Sequence, residues 1–145
     1  MSTFNHIVVA TDFSDSATKA LDLAISLAVA NEAQLSLVHV FELQTYTYAG
    51  TFSYVDIATP LEAAAEETMK KALVDVRAKH LRTDGVVLRG IVWEDLLSHA
   101  KSVKADLIVL GTHGRRGVER ALLGSVAEKV VRMSPIPVLT VHGGA

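Results

Sequence analysis

One connection constrains this chain more than any other. An apolar run over residues 105–110, ADLIVL, passes directly into GTHGRRGVERALLGS, residues 111–125, and an amphipathic segment leads out of it. A buried strand that enters a glycine-rich loop and leaves as a helix belongs to a parallel sheet, because parallel neighbours need long crossovers and those crossovers are usually helices. The same alternation recurs along the chain. Strand-like runs occupy 5–10, 34–41, 85–89 and 138–141. Segments of helical period start near Ser16, Thr59 and Trp93 and, after the loop, at Ser125. Alternating strands and helices imply an α/β fold with right-handed crossovers.

Helix boundaries follow from local chemistry. From Ser16 the positions Ala17, Ala20, Leu21, Ala24, Leu27 and Ala28 fall on one helical face, and Asn31 is a natural stop. Thr59, Pro60 and Glu62 read as cap, first helical residue and capping-box acid. Leu61, Ala65, Met69, Ala72, Leu73 and Val76 form that helix's expected inner face, with Lys70, Lys71, Arg77 and Lys79 solvated. Trp93 reads as a packing anchor. Pro135 and Pro137 precede the last strand and suit a sheet edge.

The glycine loop has a chemistry of its own. Gly111 and Gly114 lack a β-carbon, so positive φ and close approach to a ligand are open to them. Successive N–H groups in such turns form an anion-binding concavity. Gly124 and Ser125 open a helix whose first N–H groups carry partial positive charge. Ser125 is expected as the cap, with Glu128 completing a capping box. Arg115 and Arg116 add charge at the rim. Tight turning alone accounts for a lone pair of glycines; the arginines and the Gly-Ser helix start favour a phosphate cradle. The spacing is neither the Walker form nor the dinucleotide fingerprint.

Composition closes several routes. The 145 residues make one expected domain, and 50% hydrophobic with 21% charged residues is globular rather than disordered. A net charge of -2 lacks the basic footprint of a nucleic-acid binder. With no cysteine, disulfides and thiol chemistry are excluded. No run is long enough for a membrane helix and no signal peptide is apparent, so the cytoplasm is the expected compartment. The six histidines form neither an H-x-x-x-H nor an H-E-x-x-H pair, so no metal site is expected.

The spacing Gly111, Gly114, nine residues, Gly124, Ser125 resembles the ATP-binding branch of the universal stress protein family, G-x2-G-x9-G-S/T. The opening stretch 7–14, IVVATDFS, and the ending 134–139, SPIPVL, are similar to that family too. The resemblance spans nearly the whole chain apart from the middle loop. It implies a Rossmann-like (adenine nucleotide alpha hydrolase-like) five-stranded parallel sheet of order 3-2-1-4-5, helices on both faces. It also implies ATP, with Mg2+ as a companion, as ligand. The implied contacts are Ala10, Thr11, Asp12, Val40, Gly111, Thr112, His113, Gly114, Arg115, Gly124, Ser125 and Val126. Asp12 matches the family's nucleotide-contacting acid, although from spacing alone a helix-capping role is equally open. Val40 matches the position whose backbone meets the adenine edge. Family members dimerise, which implies a homodimer through the edge strand Val138–Val141.

Two other functions stay open. A weak ATPase or phosphotransferase would need a base and a metal; no paired carboxylates adjoin the loop, and His113 reads as an exposed loop histidine. A nucleotide-free homodimeric interaction module is the third reading. No catalytic residue is assigned. His39, inside the second strand, reads as a satisfied structural histidine. The aromatic stretch 42–58, with Tyr46, Tyr48, Phe52 and Tyr54, is a hairpin, a lid or a partner surface.

Overall fold

The computed structural model of the chain describes residues 3–42, 58–113 and 123–142. Along these the elements are β1 (His6–Ala10), α1 (Asp15–Asn31), β2 (Gln34–Phe41), α2 (Ala58–Lys79), β3 (Thr83–Arg89), α3 (Val92–Ser102), β4 (Leu107–Gly111), α4 (Ser125–Met133) and β5 (Val138–Val141). The strands form one sheet in the order β3-β2-β1-β4-β5, and each neighbouring pair is parallel. The expected fold and strand order are therefore the observed ones.

β1 is central because nothing on it needs water: Ile7, Val8 and Val9 are each fully buried. Successive strand residues point to opposite faces, and two cores result. On one face Ile7, Val9, Leu35, Leu37 and Val109 pack under α1 and α2 against Ala20, Ala24, Ile25, Met69 and Leu73. On the other, Val8, Val38, Val40, Ile108 and Leu110 pack under α3 and α4 against Leu96, Leu97, Ala100, Ala127 and Val130. Small alanines on α1 let its axis lie close to the sheet. Its cap is Ser14, whose side chain accepts from the Ala17 amide, and it ends at Glu32 in left-handed conformation, φ 53°.

Several boundaries differ from expectation for physical reasons. α2 begins at Ala58, so Thr59 lies inside the helix instead of capping it, and Glu62 turns outward to meet Arg89 at 3.1 Å. Leu61 is 52% exposed and leaves the expected inner face. Arg77, expected in solvent, reaches the Thr83 carbonyl at 2.8 Å. β3 starts two residues before its apolar run, because Thr83 and Asp84 pair with Leu35 and Ser36. Both polar side chains find partners, buried Thr83 in the His80 carbonyl at 2.7 Å and exposed Asp84 in the Ser36 hydroxyl at 2.6 Å. Trp93 packs against the α3–α4 core with Lys129 over its ring at 5.7 Å. No helix among the described residues is long and apolar enough to cross a membrane. The aromatics Tyr46, Tyr48, Phe52 and Tyr54 lie outside the described residues.

Candidate functional site

With β2 and β4 on either side of β1, the chain leaves β1 toward α1 on one face and leaves β4 toward α4 on the other. Connections that diverge in this way open a crevice at the carboxyl ends of the strands. A cavity of about 330 Å³ occupies it. Its floor is apolar, made by Ala10, Val38, Val40 and Leu110 of the sheet and by Val92 and Leu96 of α3. Its rim is polar: Thr11 and Asp12 after β1, Thr112 and His113 after β4, and Ser125 at the start of α4. Gly111, Gly124, Val126, Ala17 and Ala127 complete the wall.

Ten of the residues singled out from sequence thus meet at one cavity: Ala10, Thr11, Asp12, Val40, Gly111, Thr112, His113, Gly124, Ser125 and Val126. Gly114 and Arg115 lie outside the described residues. Sequence reasoning missed Val38, Leu110, Leu96, Val92, Ala17 and Ala127 as site residues. Val38 was within reach, since it shares a strand face with Val40. Nothing in the sequence aims α3 at the cavity.

The β1–α1 turn is held from several directions. The Thr11 amide donates to the Val38 carbonyl at 2.9 Å. The Phe13 amide donates to Thr11 Oγ1 at 3.0 Å. Asp12 Oδ1 accepts the Ser14 amide at 2.9 Å and also the Ser14 hydroxyl. Asp12 is therefore a brace for the cap residue as well as part of the cavity wall; Ser14, not Asp12, caps α1. His39 is satisfied, its Nδ1 meeting the Thr11 carbonyl at 2.8 Å.

The glycine loop is built differently from the expectation in three respects. Gly111 is the last residue of β4, paired with Val141, and among the described glycines only Gly90 has positive φ. A β-carbon on Gly111 would make ordinary contacts, the nearest at 3.4 Å. Gly124 is the residue that close approach demands. Its amide donates to the Thr112 carbonyl at 2.7 Å, and a β-carbon there would lie 2.8 Å from the same oxygen. Finally, Gly124 rather than Ser125 is the cap of α4. The expected capping box does not form: Ser125 is the first helical residue, and Glu128 pairs with Arg132 one turn on.

These changes redistribute the donors. The Thr112 amide is used by the Val141 carbonyl at 3.0 Å and the Gly124 amide by Thr112, so neither is free to cradle an anion. The amides of Ser125, Val126 and Ala127 occupy the first turn of α4, where no intrahelical acceptor exists, and all three residues line the cavity. Partial positive charge at that turn favours an anion. Because Ser125 has no capping duty, its exposed hydroxyl can serve a ligand. At the rim, Thr112 Oγ1 lies 3.2 Å from His113 Nδ1 and 3.4 Å from His142 Nδ1.

The sequence profile of the universal stress protein family matches residues 3–142. Universal stress protein A homolog 1 of Coxiella burnetii is 34% identical over 140 residues, covering 95% of this chain and 96% of its own. A solved universal stress protein in complex with cAMP superposes with a TM-score of 0.75 at 29% identity, over 99% of this chain and 100% of that one. The universal stress protein from Archaeoglobus fulgidus in complex with dAMP does so with a TM-score of 0.67 at 27% identity, over 94% and 96% of the two chains.

Proposed function

The chain belongs to the universal stress protein family, and on that premise we propose that it binds ATP in the cavity at the carboxyl end of its sheet, as a cytoplasmic stress-response module. The observation that carries the reading is the pairing of an apolar floor with a helix start at one end of the same cavity. A flat base fits between Val38, Val40, Leu96 and Leu110, where it loses water against apolar atoms. The Val40 backbone meets the base edge, and Asp12 is placed to accept from the ribose. The phosphates lie on the amides of Ser125, Val126 and Ala127, with Ser125 Oγ donating; the loop carrying Gly114 and Arg115 supplies further contacts. Relatives that hold cAMP and dAMP support an adenine nucleotide.

Binding without efficient turnover is part of the same proposal. Asp12 and His113 are the titratable side chains among the described cavity residues, and phosphoryl transfer needs a positioned nucleophile, charge stabilisation and metal together. The described residues include no group of three or more metal-ligating acids and histidines. Mg2+ enters with the phosphates in this reading, adding to the anion's charge balance. Hydrolysis is slow at most.

Assembly is part of the reading. β5 is an edge strand whose four residues are all half-buried. An uncovered apolar edge invites pairing, and a second copy aligned along Val138–Val141 covers it. Light scattering should give twice the 15.6 kDa chain mass.

A panel of nucleotides read by thermal unfolding, with and without Mg2+, tests the site. ATP at one hundred times its dissociation constant should stabilise the fold by about 2.7 kcal/mol. No shift with any adenine nucleotide at millimolar concentration would sink the assignment.

A further inference from the structure

We propose that His39, on the sheet face turned away from the cavity, is a positioning residue for nucleotide binding: it holds the β1–α1 turn in the strained form that presents Asp12 to the cavity. The proposal rests on the nucleotide reading for its functional consequence, and on the turn's geometry for its mechanism.

Alternation along β2 sets the arrangement. Leu35 and Leu37 belong to the core under α1 and α2, and Val38 and Val40 to the core under α3 and α4. His39 therefore projects to the α1–α2 side, where Phe13 also packs. There its Nδ1 lies 2.8 Å from the Thr11 carbonyl oxygen. A carbonyl only accepts, so Nδ1 carries the proton, and the bond fixes which tautomer the neutral ring adopts. The same ring stacks against Phe13, with centroids 4.7 Å apart and planes 36° from parallel.

Both partners of His39 flank Asp12, and one of them is strained. Phe13 has φ 62°, a region that bulky residues rarely enter. Such a residue persists only where its surroundings over-determine it. The Phe13-to-Thr11 and Ser14-to-Asp12 bonds are internal to the turn and move with it. The Thr11 amide bond to Val38 ties down the residue before Asp12. His39 adds an anchor from outside the turn on both sides of Asp12: a hydrogen bond to the residue before it and a ring contact to the residue after it. With that anchor removed, Phe13 relaxes toward negative φ, and the intervening peptides rotate Asp12 away from the cavity wall.

Three variants separate the bond from the bulk. In His39→Ala both contacts go. In His39→Asn an amide N–H stands where Nδ1–H stood. In His39→Gln the amide is one methylene too far out to make the same bond. ATP affinity is measured by calorimetry, and amide hydrogen exchange is followed at Phe13 and Ser14. His39→Ala and His39→Gln should each weaken ATP by about tenfold and speed exchange at both amides by about tenfold, the weight of one hydrogen bond. His39→Asn keeps the hydrogen bond and loses only the ring contact, so on both readouts it should fall between the parent and His39→Gln, within about threefold of the parent. Parental affinity in His39→Gln, or an Asn variant as weak as the Gln variant, overturns the proposal. If His39→Ala does not fold, the Asn and Gln pair decides. If the parent protein itself binds no adenine nucleotide, the functional reading fails, and the exchange rates alone then judge the anchor.

Discussion

The two ends of the sheet handle polar groups in opposite ways. At the amino end Ser36, His6, Asp84 and Asp106 are turned on one another or on backbone amides. Ser36, 1% exposed, lies 2.7 Å from His6 Nε2 and donates to Asp84 at 2.6 Å. Asp106 takes the Asn5 and His6 amides at 2.7 and 3.2 Å and returns its own amide to the His6 carbonyl at 2.9 Å. At the carboxyl end the tethers are behind the groups: Asp12 is braced by Ser14, Thr11 by His39 and Val38, and the first turn of α4 by Gly124 against Thr112. Their front faces line a cavity. A histidine, a serine and an aspartate in mutual contact look like chemistry on paper. Here they clamp β1, β2 and β3, because the serine is buried and its proton already goes to Asp84. Capacity to bind comes from groups fixed from behind and open in front.

Variants should split cleanly along that line. The largest effect is expected from Gly124→Val, whose β-carbon would sit 2.8 Å from the Thr112 oxygen. Strain of the size that overpacking produces should cost ATP affinity about a hundredfold, while hydrogen exchange around Ser36 stays as in the parent. Calorimetric titration reads the first and exchange the second; unchanged affinity would remove α4 from the site. Next comes Ser36→Ala. It removes the hydrogen bonds to half-buried His6 and exposed Asp84 and should lower stability by about 0.5–1.5 kcal/mol in denaturant unfolding, with ATP affinity untouched. A coupled loss of both would mean that the two ends are not independent.

Ser125→Ala gives a smaller and opposite pattern. Without a capping bond to lose, stability should change by less than about 0.5 kcal/mol, while ATP weakens about three- to tenfold through the lost hydroxyl. A stability loss near 1 kcal/mol would instead mark a helix cap.

The smallest effect concerns pH at the amino end. Burial lowers the His6 pKa from the ordinary 6.5, against the pull of Asp84 and Asp106 that would raise it. Between the lowered folded value and 6.5 the unfolded chain binds more protons, so stability rises with pH there. The contribution is complete above 6.5 and fades as pH falls through the folded value. His6→Gln should flatten that part of the stability–pH curve; an unchanged curve would assign the slope to other groups.

The strands and helices were legible because periodicity is local. β2 and β5 fall on the expected residues, and α4 runs from Ser125 to Met133 as its pattern implied. Thr83 and Asp84 were hidden in β3 because polar residues in a strand announce themselves only through partners on its neighbours. At the site, Asp12, Gly124 and Ser125 were visible because glycines, caps and acids after strands carry meaning in themselves. The apolar floor was not, since Val38, Leu96 and Leu110 look identical in sequence to the core residues Leu37, Leu97 and Val109.

The sequence by itself determined which segments are strands, which are helices, and that a strand-to-helix glycine loop lies at the end of β4. Tertiary structure decided the rest: that α3 covers the side of the sheet where the cavity opens, that Gly111 stays extended, that Gly124 takes the cap from Ser125, and that His39 reaches the Thr11 carbonyl. The reason is range. Backbone propensity and side-chain period act within a few residues, whereas a donor's partner and an apolar residue's neighbour are chosen only when distant segments pack.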